Sequence, residues 1–177
     1  MTTLTNTIAP ETSSEGLVSK LKTAAPHLIA GIASLVFLDS LRFKFTNAPE
    51  TQTIFGKLND WAASFGADGL FAQTGLFSQY AIGTAELFAA SLLLIGILPA
   101  FRRLQAIGAL IAFAVMSGAV NFHLWTPLGI DPNNDGGGLF FMAVVVWMTS
   151  FGLIIIRRKE LAAIFSGLKS TLFPARA

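Results

Sequence analysis

The stretch LFFMAVVVWMTSFGLIII, Leu139 to Ile156, has no charged side chain anywhere along it. As a helix rising 1.5 Å per residue it reaches about 27 Å, close to the ~30 Å of hydrocarbon in a bilayer. Three further apolar stretches approach the same length: about 26–45, 77–98 and 105–125, with the quoted run completing a span over about 138–156. The pattern predicts an all-α integral membrane protein, a four-transmembrane-helix bundle.

Composition agrees with that reading. Of 177 residues 53% are hydrophobic and only 12% charged, and the mean hydropathy is +0.64. A soluble domain carries about 25% charged residues, so this chain has too little polar surface to cover a globule in water. The pI of about 9.2 rests on a net charge of only +2 and does not argue for nucleic acid. With no cysteine in the chain, thiolate nucleophiles, disulfide relays and thiolate metal sites are excluded. His27 and His123 are too far apart in sequence for a ligand motif, and no metal is expected.

Basic residues predict the orientation. Lys20, Lys22, Arg102, Arg103, Arg157, Arg158, Lys159, Lys169 and Arg176 fall on one side of a four-span topology; Arg42, Lys44 and Lys57 fall on the other. Both termini are therefore expected in the cytoplasm. The segment 1–22 reads as a flexible cytoplasmic lead, 23–158 as the transmembrane domain and 159–177 as a cytoplasmic amphipathic tail. The first span reads as retained, because DSLRFKF follows it where a signal peptide would carry a small-x-small cleavage site. No transit segment rich in Arg and Ser and no endoplasmic-reticulum retention signal is present, which points to a bacterial inner membrane. Within the first outer link, Ile54, Phe55, Leu58, Trp61, Ala62 and Phe65 recur at helical spacing. They predict an amphipathic helix at the interface or over the bundle mouth.

Glu86 interrupts the second span, YAIGTAELFAASLLL. It lies about 14 Å along the helix from Phe77 at 1.5 Å per residue, with Gln79, Gly83 and Ala90 on its own face. Asp39 and Arg42, three apart on the first span, share a face and can pair, and His123 stands near the outer end of the third. An ionised group in hydrocarbon costs at least about 2.5–3.5 kcal/mol, so Asp39, Arg42, Glu86 and His123 are expected to meet inside the bundle. Such a cluster is either a structural clamp or a site for a proton, a quinone head group or a small polar ligand. The DPNNDG run, Asp131–Gly136, imitates the opening of an EF-hand loop, but its twelfth position is Met142 instead of a bidentate Glu. Asp135 reads instead as a cap for the fourth span.

Four motifs in register, LRFKFTNAPETQTIF, YAIGTAELFAASLLLI, GALIAFAVMSGAVNFHL and NNDGGGLFF, resemble the DoxX-like family of small four-helix membrane proteins. The resemblance covers about 35–158 and points to Lys44, Pro49, Glu50, Glu86, His123, Asp135 and Gly136. It implies a link to quinone-dependent sulfur oxidation and to membrane-associated redox assemblies. No motif for haem, flavin or an iron–sulfur centre is present, so no covalently bound cofactor is expected and a quinone is the ligand class implied. The expected role is a small membrane subunit or anchor of a quinone- or redox-linked assembly. The alternatives are a structural accessory subunit of a larger membrane complex and a proton-coupled transporter acting as an oligomer. Expected partners are the bilayer and other membrane subunits or further copies of the chain, with no nucleic acid.

Overall fold

The computed structural model describes residues 13–173. Six α-helices lie in this range: α1 (Ser13–Phe45), α2 (Pro49–Ala63), α3 (Gln79–Ile95), α4 (Arg102–Trp125), α5 (Gly138–Ile156) and α6 (Arg158–Leu172), with a 3₁₀ turn over Pro99–Phe101. No strand occurs among the described residues. Helices α1, α3, α4 and α5 pack as a ring, α1 on α3, α3 on α4, α4 on α5 and α5 back on α1. Neighbours run antiparallel: along α1 and α3, Lys44 meets Glu86 while Ser34 meets Ala90.

Each ring helix buries one stripe. On α1 it is Ala30, Ala33, Ser34, Phe37, Leu41 and then Lys44; on α3 it is Gln79, Gly83, Glu86, Ala90 and Leu93. The spacings are three and four, the repeat that keeps a helix face directed at its neighbours. Small residues dominate the centre, as expected where dispersion and close backbone approach hold helices together. Gly108 shows how close: a Cβ there would sit 2.9 Å from the Leu93 backbone nitrogen and 3.1 Å from the Ala89 carbonyl oxygen. Across the α4–α5 seam, Phe113 stacks on Trp147 at 5.5 Å, and the Trp147 indole donates to Ser117 at 2.8 Å.

The opposite faces are apolar and uncovered. Leu28, Leu35, Phe88, Leu94, Phe141, Met148 and Ile155 are all exposed. Among the described residues, α1, α4 with its 3₁₀ lead-in, and α5 are long and apolar enough to cross a membrane, compatible with an integral membrane protein. Hydroxyls on these faces spend their hydrogen bonds on their own helix: Thr84 donates to the Tyr80 carbonyl and Thr149 to the Val145 carbonyl, each at 2.7 Å.

Two expected boundaries change. The apolar run 77–98 is not one helix, because α3 stops at Ile95 and is 17 residues long. Gly96 turns the chain so tightly that a Cβ would lie 2.3 Å from Gln105, and Pro99 opens the 3₁₀ turn that leads into α4. At the other edge, residues 13–22, expected within the flexible lead, form the start of α1. Leu17, Lys20, Leu21 and Lys22 there favour helix, and the helix continues through Pro26, which removes one backbone N–H without ending it. Residues 1–12 and 174–177 lie outside the described residues. The expected helix of the first outer link is α2; its Leu58 and Ala62 are buried with Phe71 and Leu128, against Ile54, Phe55, Trp61 and Phe122. This second cluster caps one end of the ring.

Gly108→Val should push α3 and α4 apart and cost about 1–3 kcal/mol of stability by overpacking. Gly31→Ala, where an added Cβ meets nothing within 4 Å, should be neutral or add up to roughly 1 kcal/mol. Thermal unfolding of both variants in mild detergent checks the contrast.

Candidate functional site

The site is assembled at the junction where α1 ends and α3 begins. α1 closes on a Schellman pattern: the Asn47 N–H donates to the Lys44 carbonyl and the Ala48 N–H to the Phe43 carbonyl at 3.0 Å. Asn47 takes the left-handed conformation (φ 55°), a position where Asn is the usual substitute for Gly. Ser78 caps the start of α3, accepting the Ala81 N–H at 3.2 Å. Gln79 then joins the two ends, its amide nitrogen donating to the Lys44 carbonyl at 2.8 Å and to Asn47 Oδ1 at 2.9 Å. The Lys44 carbonyl, held at the helix end only by the long 3.4 Å bond from the Asn47 N–H, thus gains a second, shorter donor.

Inside this collar, Lys44 Nζ lies 3.0 Å from Glu86 Oε2. The carboxylate side chain is 3% exposed and the lysine 14%. Lys44 also donates to Ser40, one turn back. The approach to Oε2 falls off hydrogen-bonding geometry, so this contact is chiefly ionic. The lysine stem lies directly along α3 at Gly83, where a Cβ would be in ordinary van der Waals contact, 3.4 Å from Lys44 Cδ and 3.5 Å from Leu41 Cδ2. Two buried charges this close attract strongly, but both have given up water, so the pair's net worth is small and the cost of halving it is large.

Above the collar is a cleft of about 210 Å³ between α2 and the segment leading into α3. Five amides line it, Asn47, Gln52, Asn59, Gln73 and Gln79, together with the rings of Phe55 and Phe71, and no charged side chain does. Asn47 and Gln79 belong to both cleft and collar. Amides both donate and accept, so the cleft suits an uncharged group with hydrogen-bonding oxygens.

The expected four-residue cluster is not brought together. Asp39 and Arg42 do pair, at 2.9 Å, but their side chains are 63% and 68% exposed, on the outward face of α1 with Leu28, Ile32 and Leu35. Arg42 also stands 4.6 Å over the Phe43 ring. Helix rotation is the reason: Ser40 and Lys44 continue the Phe37–Leu41 stripe, and Asp39 and Arg42 lie around the helix from it. Glu86 therefore takes Lys44 as partner instead of Arg42. His123 is buried, but its Nδ1 donates to the Gly129 carbonyl at 2.6 Å and its ring lies 5.5 Å from Phe140. It pins the α4–α5 link and forms no ion pair or hydrogen bond with Lys44 or Glu86.

Of the other motif residues, Pro49 opens α2 and Glu50 stands exposed in its first turn. Asp135 caps α5, accepting the Leu139 N–H at 2.8 Å and the Gly137 N–H at 3.0 Å, while Gly136 turns with φ 71°. The Leu139 N–H first, with the Asp131 side chain and the Gly137 N–H behind it, holds the Asp135 carboxyl below the usual carboxylate range.

A second buried polar group, at the opposite end, had no motif to announce it. Arg157 Nε donates to Gln105 Oε1 at 2.7 Å and Nη1 to Glu160 Oε1 at 3.4 Å, with Gln105 fully buried. The available signal was positional: Gln105 and Arg157 continue the apolar stripes of α4 and α5. No group of His, Asp or Glu side chains able to hold a metal ion occurs among the described residues.

Removing one member of the central pair, by Lys44→Ala or Glu86→Ala, should destabilise by about 3–5 kcal/mol, and Lys44→Met with Glu86→Leu should recover most of that loss. A double-mutant cycle of unfolding in detergent measures it. Asp135→Ala should cost about 1 kcal/mol through the lost cap. Because folding depresses this carboxyl, the wild-type advantage over Asp135→Ala should be full above about pH 4 and fade as pH falls through the lower folded value. Compared with models of known families, with curated proteins and with solved structures, the chain matches none.

Proposed function

We propose that the chain crosses a bacterial inner membrane four times, through α1, α3, α4 and α5, with both termini cytoplasmic. It serves there as a small membrane subunit or anchor of a quinone- or redox-linked assembly of the DoxX-like type, and the Lys44–Glu86 end receives an uncharged polar head group. At 17 residues α3 reaches about 25 Å, enough for a crossing where the bilayer thins slightly or the ends snorkel. The nine-to-three split of basic residues supports the orientation. In this arrangement α2 lies over the outer mouth.

One observation carries the reading: an enclosed ammonium–carboxylate pair whose collar shares Asn47 and Gln79 with an amide-lined cleft. A quinone carbonyl oxygen needs hydrogen-bond donors, which the cleft amides other than Gln79 supply. Its reduction takes up protons, and Glu86 is a carboxylate placed to relay one. Electrons come from the partner assembly, since the chain has no motif for a redox centre. Ionisable side chains inside membrane bundles are retained for function far more often than by accident.

A specific observation favours a second reading, a structural clamp. Both donors of the Gln79 amide are spent on Lys44 and Asn47, which fastens α1 to α3 without any ligand.

Glu86→Gln separates the two readings. Under the head-group reading the folded, inserted variant keeps the hydrogen-bond donors that hold the quinone carbonyl but lacks the proton relay, and impairs the host's quinone-dependent respiration. In mild detergent the wild type co-purifies with a larger redox enzyme. Normal respiration with a correctly folded Glu86→Gln leaves the clamp.

A further inference from the structure

At the end of the ring opposite the Lys44–Glu86 pair, α6 is fastened only by its root. Arg157, the single residue between α5 and α6, is buried against Gln105 and Glu160, and Leu161 is 8% exposed. Beyond that turn the helix is uncovered. Phe165, Leu168 and Leu172 are 59%, 53% and 61% exposed, and they continue the spacing of Leu161 at +4, +7 and +11. The result is one apolar stripe, its first residue docked and the rest without a partner.

The charge around this stripe has one sign. Arg158, Lys159 and Lys169 are exposed on α6, and Arg102 and Arg103 are exposed at the start of α4, on which α6 packs. The acid of α6, Glu160, is already engaged by Arg157. An exposed apolar stripe flanked by free cations is complementary to a surface that is negatively charged outside and apolar a few ångströms down. We propose that α6 docks onto the anionic phospholipid leaflet, its stripe sunk among the acyl chains and its cations on the head-group phosphates, so that lipid charge sets how α6 is held. The buried Arg157–Gln105 bond fixes the root and thereby the direction in which the stripe faces. The proposal rests on the membrane reading alone and is independent of the quinone reading, which concerns the other end.

The absence of cysteine makes the test direct. Leu168→Cys, and Ser170→Cys on the opposite face as control, are labelled with an environment-sensitive fluorophore in the full chain. Each is reconstituted into vesicles of phosphatidylcholine alone or mixed with phosphatidylglycerol, with alkaline-wash resistance confirming insertion. The label at 168 should be several-fold better protected from an aqueous quencher in the anionic vesicles than in the neutral ones, while the label at 170 stays open in both. High salt, or Lys159→Glu combined with Lys169→Glu, should abolish the difference; both lysines are exposed, so the fold tolerates the change. Equal protection in both vesicle types, insensitive to salt, overturns the proposal. So does protection that falls as protein is diluted in lipid, which assigns the stripe to a second copy. A chain washed off by alkali would instead refute the membrane reading on which the proposal rests.

Discussion

A cation beside a carboxylate enclosed between two helices stabilises its charged form, and here that cation is Lys44. The remainder of the α1–α3 junction follows from this pairing. The lysine stem passes along α3 at Gly83, Ser40 accepts a hydrogen bond from the ammonium, and Gln79 and Asn47 close the ends of the two helices over the pair. In low dielectric the separation of these charges is prohibitive, so the pair fixes the register of α1 against α3. The apolar contacts around it, among Ala30, Ala33, Phe37, Ala89 and Ala90, are non-directional and on their own would tolerate sliding.

The polar groups are distributed with a consistent logic. Lys44 and Gln79 sit at one end of the apolar stripes and Gln105 and Arg157 at the other, while Glu86 stands midway along the α3 stripe, where the long Lys44 side chain reaches it. His123, near the end of α4, holds a link instead of joining a charge cluster. Ser34 and Ser150 are the hydroxyls on the buried α1 and α5 stripes, and Ser34 is spent on the Ala90 carbonyl. An apolar centre with polar closures at both ends lets small side chains bring the backbones together in the middle. It leaves the ends free for specific contacts: the amide cleft over one, the rooted α6 on the other.

Much of the architecture was legible in the sequence because the signals are local. Helical periodicity of Ile54, Phe55, Leu58, Trp61 and Ala62 located α2, although Phe65, expected on the same stripe, lies exposed beyond its end, and Asp135 beside three glycines located the cap of α5. The Gln79–Gly83–Glu86–Ala90 face was correctly assigned to the bundle interior. The Asp39–Arg42 pairing was also foreseen from its spacing, but its direction was not. Nothing in a three-residue separation says which way a helix is rotated. The stripe Ala30–Ala33–Phe37–Leu41 held that information, since extending it by three residues arrives at Lys44, which only the family resemblance had singled out.

Hydropathy and spacing by themselves thus determined that the chain is helical and apolar, where the helices lie to within a few residues except for the start of α1, and that Glu86 is enclosed. Those properties depend on side-chain transfer energies and on a fixed helical repeat, neither of which needs a neighbour to be defined. The partner of Glu86, the outward turn of Asp39 and Arg42, the private bond of His123 and the Arg157–Gln105 closure were decided only when the helices packed. Rotation and register are collective quantities. They are set by how close two backbones can come, as at Gly108, and that distance exists only between helices.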